Sequence, residues 1–239
     1  MKKIKNLLFA FVLSLFTANS FAQIISGKIT YKVTKEFNPD SDYYRFYQAQ
    51  YPDCFYEEFA DEIEYVLEFT QDQGLFYTNT ENIINLSCVD KIGTVIGTMS
   101  ADTYAVYTDG QYYTFMFYRG KNLLINKTSF EWIITDETKQ IQNLTCYKAY
   151  YKEVVDLGKD GSKTFIHTVW FTPELPFQYG PYYYFGAPGL VLEANNQGGK
   201  YTYGAVKIEL NTENKNLSGN IKKLEDVSEK ITLEAFMEM

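Results

Sequence analysis

The chain has 239 residues, with 30 acidic against 22 basic side chains and a net charge of −8, and it carries no Lys/Arg-rich run beyond its first residues. That balance argues against nucleic acid and against anionic lipid headgroups as partners. The 22 Tyr and 18 Phe, against 2 Trp, favour strands and large buried ring area.

Lys2, Lys3 and Lys5 form a basic head, residues 7–16 are apolar except for Ser14, and Ser20-Phe21-Ala22 brings small residues where a signal peptidase reads. Residues 1–22 are therefore expected to be a secretory signal peptide cleaved after Ala22, with the chain exported to the periplasm or cell surface. No Cys follows the cut, so a lipid anchor is not supported. No later apolar stretch is long enough to span a bilayer, so residues 23–239 are expected to form a single β domain with no transmembrane segment.

Period-two alternation then recurs to the end of the chain. Residues 27–33 put Ile29, Tyr31 and Val33 on one face and Lys28, Thr30 and Lys32 on the other. Residues 43–59 have spacing that permits a helix, interrupted by Pro52. Residues 62–69 alternate again, with Ile63, Tyr65, Leu67 and Phe69 inward and Glu62, Glu64 and Glu68 in the solvent phase. Gln71 to Gly74 turns that strand back, and residues 82–96 read either way. Asp109-Gly110 joins strands at 104–107 and 111–118, since Asp-Gly accepts the positive φ of a tight hairpin. A short strand is expected at 131–135. Gly158 to Gly161 joins 144–157 to 163–171, and Asn195 to Gly199 joins 190–194 to 200–210. In the last strand Tyr201 and Tyr203 are out of phase with Val206, Ile208 and Leu210, which predicts a β-bulge near Gly204. Residues 226–239 look helical, with Ser228 as cap and Ile231, Leu233 and Phe236 near helical spacing. These elements predict a mainly β fold: a single curved antiparallel sheet, a half-barrel or incomplete barrel, with one or two short helices.

Three cysteines in an exported chain imply one disulfide and one free thiol. The arithmetic leaves the pairing open. Cys54–Cys88 is favoured because both lie in polar, turn-like surroundings, whereas Cys146 sits in a strand as a small hydrophobe. His167 is the single histidine, lies in a strand and has no Gly-x-Ser-x-Gly elbow for company. No catalytic residue is assigned. One histidine and three separated cysteines give no metal spacing, no loop cradles phosphate, and no metal or cofactor is expected.

Residues 178–199 hold the densest constraint. Gly180-Pro181 precedes the aromatic run Tyr182, Tyr183, Tyr184 and Phe185, and Gly186 precedes Ala187-Pro188-Gly189-Leu190. Pro188 followed by Gly189 predicts a type II turn. Glu193 is either a buried partner for a lysine or the wet end of its strand.

Two stretches carry a family resemblance. Trp132, Ile134, Glu137, Lys139, Ile141, Cys146, Lys148 and Ala149 keep one spaced pattern, and 169–193 keeps a second, including Gly180-Pro181 and Gly186-Ala187-Pro188-Gly189-Leu190-Val191. Together they resemble the GLPGLI family of exported proteins, found mainly in Bacteroidota. Ala187 and Val191 stand where that family's motif has Leu and Ile, and Asn143 and Leu144 replace a Gly and a Tyr. The resemblance implies location and a fold expectation, since the family has no established activity.

The leading expectation is an envelope protein without enzymatic activity that binds an apolar or extended ligand, such as a peptide, lipid or glycan, or an envelope protein partner at the outer membrane. Trp170, Phe177, Tyr179, Tyr182, Tyr183, Tyr184 and Phe185 are the candidate contact residues, because four consecutive aromatics cannot all face one core. Gly180, Pro181, Gly186, Pro188 and Gly189 are read as backbone fittings. Two alternatives stand beside it: a secreted hydrolase using carboxylates or His167, and a structural surface or assembly component.

Overall fold

Alternating residues settle into strands wherever one phase finds a core. The computed structural model describes residues 26–35, 40, 42–54, 63–79, 81, 88, 104–128, 130–156, 158–196 and 201–239. The expected signal peptide with its cleavage after Ala22, most of 82–96, and Glu62 lie outside them.

The first strand, β1 (Ser26–Lys35), buries Ile29, Tyr31 and Val33, and β2 (Glu64–Thr70) buries Tyr65, Leu67 and Phe69. Next come β3 (Gly74–Asn79), β4 (Tyr104–Thr108), β5 (Gln111–Tyr118) and β6 (Lys121–Lys127). The second half supplies β7 (Ile133–Ile141), β8 (Leu144–Asp156), β9 (Ser162–Thr172), β10 (Leu190–Asn196) and β11 (Tyr201–Leu210). A short β12 (Glu229–Ile231) follows near the C-terminus. All twelve join one sheet in the order β12-β6-β5-β4-β3-β2-β1-β11-β10-β9-β8-β7, which does not close into a barrel. Pairing is antiparallel except between β12 and β6. The incomplete barrel is therefore correct.

Tight turns hold the hairpins. Asp109 and Gly110, Arg119 and Gly120, and Gln142 and Asn143 each supply two consecutive positive φ values, which matches the strand twist. The bulge lies slightly beyond Gly204: Thr30 pairs with Lys207 and Tyr31 with Ala205, so Val206 is the extra residue. Tyr203 and Ala205 stay buried before it, and Ile208 packs against the same core after it.

Among the described residues, three short α-helices accompany the sheet. The first, α1 (Asp42–Gln50), stops just before the Pro52 turn. Cys54 and Cys88 are joined by a disulfide and are both buried, while Cys146 is a free buried thiol. Two corrections concern the C-terminal region. The chain is helical earlier than its spacing predicts, in α2 (Leu217–Asp226), where Leu217 and Ile221 pack on Leu75, Val106 and Leu124. The expected helix over 226–239 reduces to α3 (Leu233–Met237), capped by Thr232 and not by Ser228, because Ile231 extends beside β6 instead.

The short strand expected at 131–135 is the start of the longer β7, whose register shifts between Ile134 and Thr138. The predicted type II turn is also replaced. Gly189 N–H donates to the Ala187 carbonyl at 2.8 Å, and Leu190 N–H goes to Leu175 rather than back to Ala187. Gly189 is needed for space: a Cβ there would lie 2.2 Å from the Thr172 carbonyl oxygen.

The core lies in the trough of the curved sheet. Residues 173–189 fold over it, with Leu175, Phe177, Tyr179 and Tyr184 buried against strands from both halves. Tyr31 anchors the start of β10 by donating its hydroxyl to the Val191 carbonyl at 2.6 Å.

Candidate functional site

The inner face of β9 runs through His167, Val169 and Phe171, and β8 lays Tyr151 directly opposite His167. His167 is only 3% exposed, unusual for a side chain this polar unless it is hydrogen-bonded. Its Nε2 lies 2.9 Å from Glu153 Oε2, and its Nδ1 lies 3.4 Å from the Tyr184 hydroxyl. An ionised carboxylate only accepts, so a ring N–H faces Glu153, and Nδ1 faces the Tyr184 hydroxyl. Burial pushes the Tyr184 hydroxyl far above the ordinary tyrosine range, so it stays a donor. Tyr183 stands 3.4 Å from Tyr184, oxygen to oxygen. Glu153, His167, Tyr184 and Tyr183 thus form one chain of polar groups, with Phe130 stacked on the imidazole at 5.5 Å.

This chain borders a cavity of about 650 Å³, within the size range of ligand sites. One wall carries Thr114 of β5 and Lys127 of β6, and the other carries Tyr151, Glu153 and His167. Phe130 and Glu131, from the connection that crosses between β6 and β7, and Leu233 of α3 close further sides. Tyr182, Tyr183 and Phe185 complete the boundary. The two walls stand near opposite ends of the strand order, so only the curl of the sheet brings them together. Burial lowers the Lys127 ammonium's affinity for its proton, and the charge of Glu153 partly restores it.

The aromatic segment is held by its backbone. A Cβ on Gly180 would lie 1.9 Å from the Tyr184 carbonyl oxygen, so only glycine fits there. Tyr184 N–H donates to the Pro181 carbonyl at 3.1 Å, closing a turn in which Tyr182 adopts φ 56°. A left-handed tyrosine is strained backbone, and such strain collects where rings are held for a task. Gly186, also left-handed at φ 80°, donates to Gln178. Trp132 Nε1 donates to the Phe185 carbonyl at 2.9 Å, and the Phe185 ring stacks on Tyr112 at 3.7 Å.

The seven candidate aromatics are therefore divided. Tyr182, Tyr183 and Phe185 line the cavity, and Tyr184 lies just behind it. Phe177 packs 4.7 Å from Phe69, and Tyr179 donates its hydroxyl to Gln71, both within the core. Trp170 is on the outer face, beneath Lys139 at 4.4 Å, and Lys139 pairs with Glu193 at 2.7 Å. Glu193 is thus a lysine's partner. Glu64 and Glu68 accept from Asn79 and Tyr77 on the outer face and do not approach His167. Glu153, Lys127, Thr114 and Phe130 are among the cavity residues that sequence reasoning missed.

A family model described as "Protein of unknown function (Porph_ging)" matches residues 158–193, from the turn before β9 to the middle of β10. The matched stretch contains His167 and the aromatic segment. No curated protein and no solved structure matches the chain.

Proposed function

We propose that this protein is an exported, GLPGLI-like envelope protein that holds a small amphipathic molecule in the cavity between β5–β6 and β8–β9. The observation that carries the reading is the cavity of about 650 Å³ bounded at once by aromatic rings and by charged groups. Its mixed walls favour a ligand with both apolar and hydrogen-bonding faces over a purely apolar one, because buried polar groups need partners. The N-terminal basic head, apolar run and Ala22 support export. Gentle purification from the native envelope, followed by native mass spectrometry, tests it. A stoichiometric small molecule is expected on the parent protein and is lost on Tyr183→Ala. An apo mass for the parent protein, with no thermal shift from an extract of the same envelope, would sink the proposal.

A hydrolase remains the second reading, favoured by one contact, the 2.9 Å approach of His167 to Glu153. Among the described lining residues, however, the hydroxyls beside that pair belong to Thr and Tyr, and none to Ser. Loss of turnover of any bound ester or glycoside on His167→Gln would favour it.

A further inference from the structure

We infer that the cavity recognises a saccharide, neutral or amine-bearing, roughly two or three rings in size for a volume of this class. The inference rests on the ligand-binding reading above.

Two features of the cavity select among ligand chemistries. The first is charge. Glu131 and Glu153 stand on the boundary with one ammonium, Lys127, between β5–β6 and the opposite wall. Two carboxylates to one cation repel an anionic ligand, so a phosphate or fatty carboxylate headgroup is disfavoured. The second is the distribution of polar groups. Thr114 and Lys127 lie on one wall, and Glu153 and His167 on the other. An acyl chain between them would strip water from both walls and return no hydrogen bond. A sugar ring offers hydroxyls that donate to carboxylates and accept from an ammonium or imidazole, in several directions at once. Its apolar C–H faces match the rings of Tyr151, Tyr182, Tyr183 and Phe130.

The single histidine makes the test direct, because its imidazole protons are one unambiguous NMR signal set. The full exported chain is titrated with maltotriose, cellotriose, chitotriose and triacetylchitotriose, and in parallel with trialanine and a fluorescent fatty-acid analogue. At least one trisaccharide is expected to shift the His167 signals saturably. Glu153→Gln and Tyr183→Leu should each weaken that binding about tenfold or more, the order of one lost hydrogen bond or ring contact. Glu137→Gln, on the outer face beside Lys148, should leave it unchanged. Glu153→Gln keeps volume and shape, so a folding failure in the Tyr183 variant does not remove the test. Saturable shifts from trialanine or the fatty-acid analogue, with none from the sugars, overturn the saccharide inference and leave the ligand-binding reading standing. No shift from any probe overturns both.

Discussion

Two halves of one loop meet the same sheet with opposite results. Residues 175–179 press Leu175, Phe177 and Tyr179 into the trough, and the space left where Tyr179 meets Tyr182 and Phe185 is about 20 Å³, room for little more than one water. Tyr182, Tyr183 and Phe185 are equally aromatic, yet they border a cavity of about 650 Å³. The sheet beneath explains the contrast. Under the first half lie Phe69 and Tyr107, whose rings interlock with Phe177 and Tyr179. Beside the second half lie Lys127, Glu153 and His167, which need polar neighbours and cannot be covered by rings alone. An aromatic run therefore does not identify a site; the polarity of the opposing wall decides whether the rings become core or rim.

Four changes should break or sharpen that contrast. The largest effect is expected from Phe177→Ala in the packed half, a loss of about 4 kcal/mol from a fully enclosed ring, read from the denaturant midpoint at constant slope. If the midpoint stays within error, the plug is not core. Gly180→Ala follows, at about 3 kcal/mol, because the added carbon meets backbone that cannot retreat. That variant should disorder both halves together, which a loss of Phe185–Tyr112 stacking by NMR would reveal.

Alkaline pH should act next, and on both halves, because burial also raises the Tyr179 hydroxyl of the packed half. Burial pushes the Cys146 thiol up to about 11, and burial with the neighbouring Tyr183 pushes Tyr182 up to about 12. Burial and Tyr107 raise Tyr112 to about 12 as well. Each neutral form is favoured by the fold, so the folded state keeps protons that the unfolded chain releases. Stability is complete below the unfolded values of 9.0 for the thiol and 10.0 for the phenols, and is lost as pH rises through about 11 to 12. Urea midpoints at pH 8, 9.5 and 11 should fall in that order, and Tyr182→Phe should flatten the last step. The smallest effect is expected from Tyr183→Phe, which removes the hydroxyl's 3.4 Å contact with Tyr184 and should cost about 1 kcal/mol or less. A loss as large as that of Phe177→Ala would show that the rim is packed like the plug.

Much of the sheet was legible because alternation and turn residues are local. Asp109-Gly110 marks its hairpin without help from any distant residue. The failures were equally physical. In β6, Leu123, Leu124 and Ile125 are all buried, so both faces are covered and no alternation remains to be read. Along 226–239, helical spacing gave way at Ile231 because a parallel place beside β6 was open. Helix α2 offered only Leu217 and Ile221 as buried positions, with no side-chain cap on Asn216, too little to mark it in advance.

The candidate site divides in the same way. Its aromatic rim and its one histidine stand in a contiguous stretch, and their types were visible as residues. Glu153 lies in a strand beside Lys152, Lys127 ends a strand after Ile125 and Asn126, and neither carries a mark of a site. Composition, alternation and glycine-proline placement thus dictate strands, hairpins and a rigid aromatic corner, since those depend on neighbours one to four residues away. The pairing of Glu153 with His167, the approach of Lys127 and the space between them exist only because an open sheet curls until β6 faces β8, a long-range outcome of core packing that no local pattern encodes.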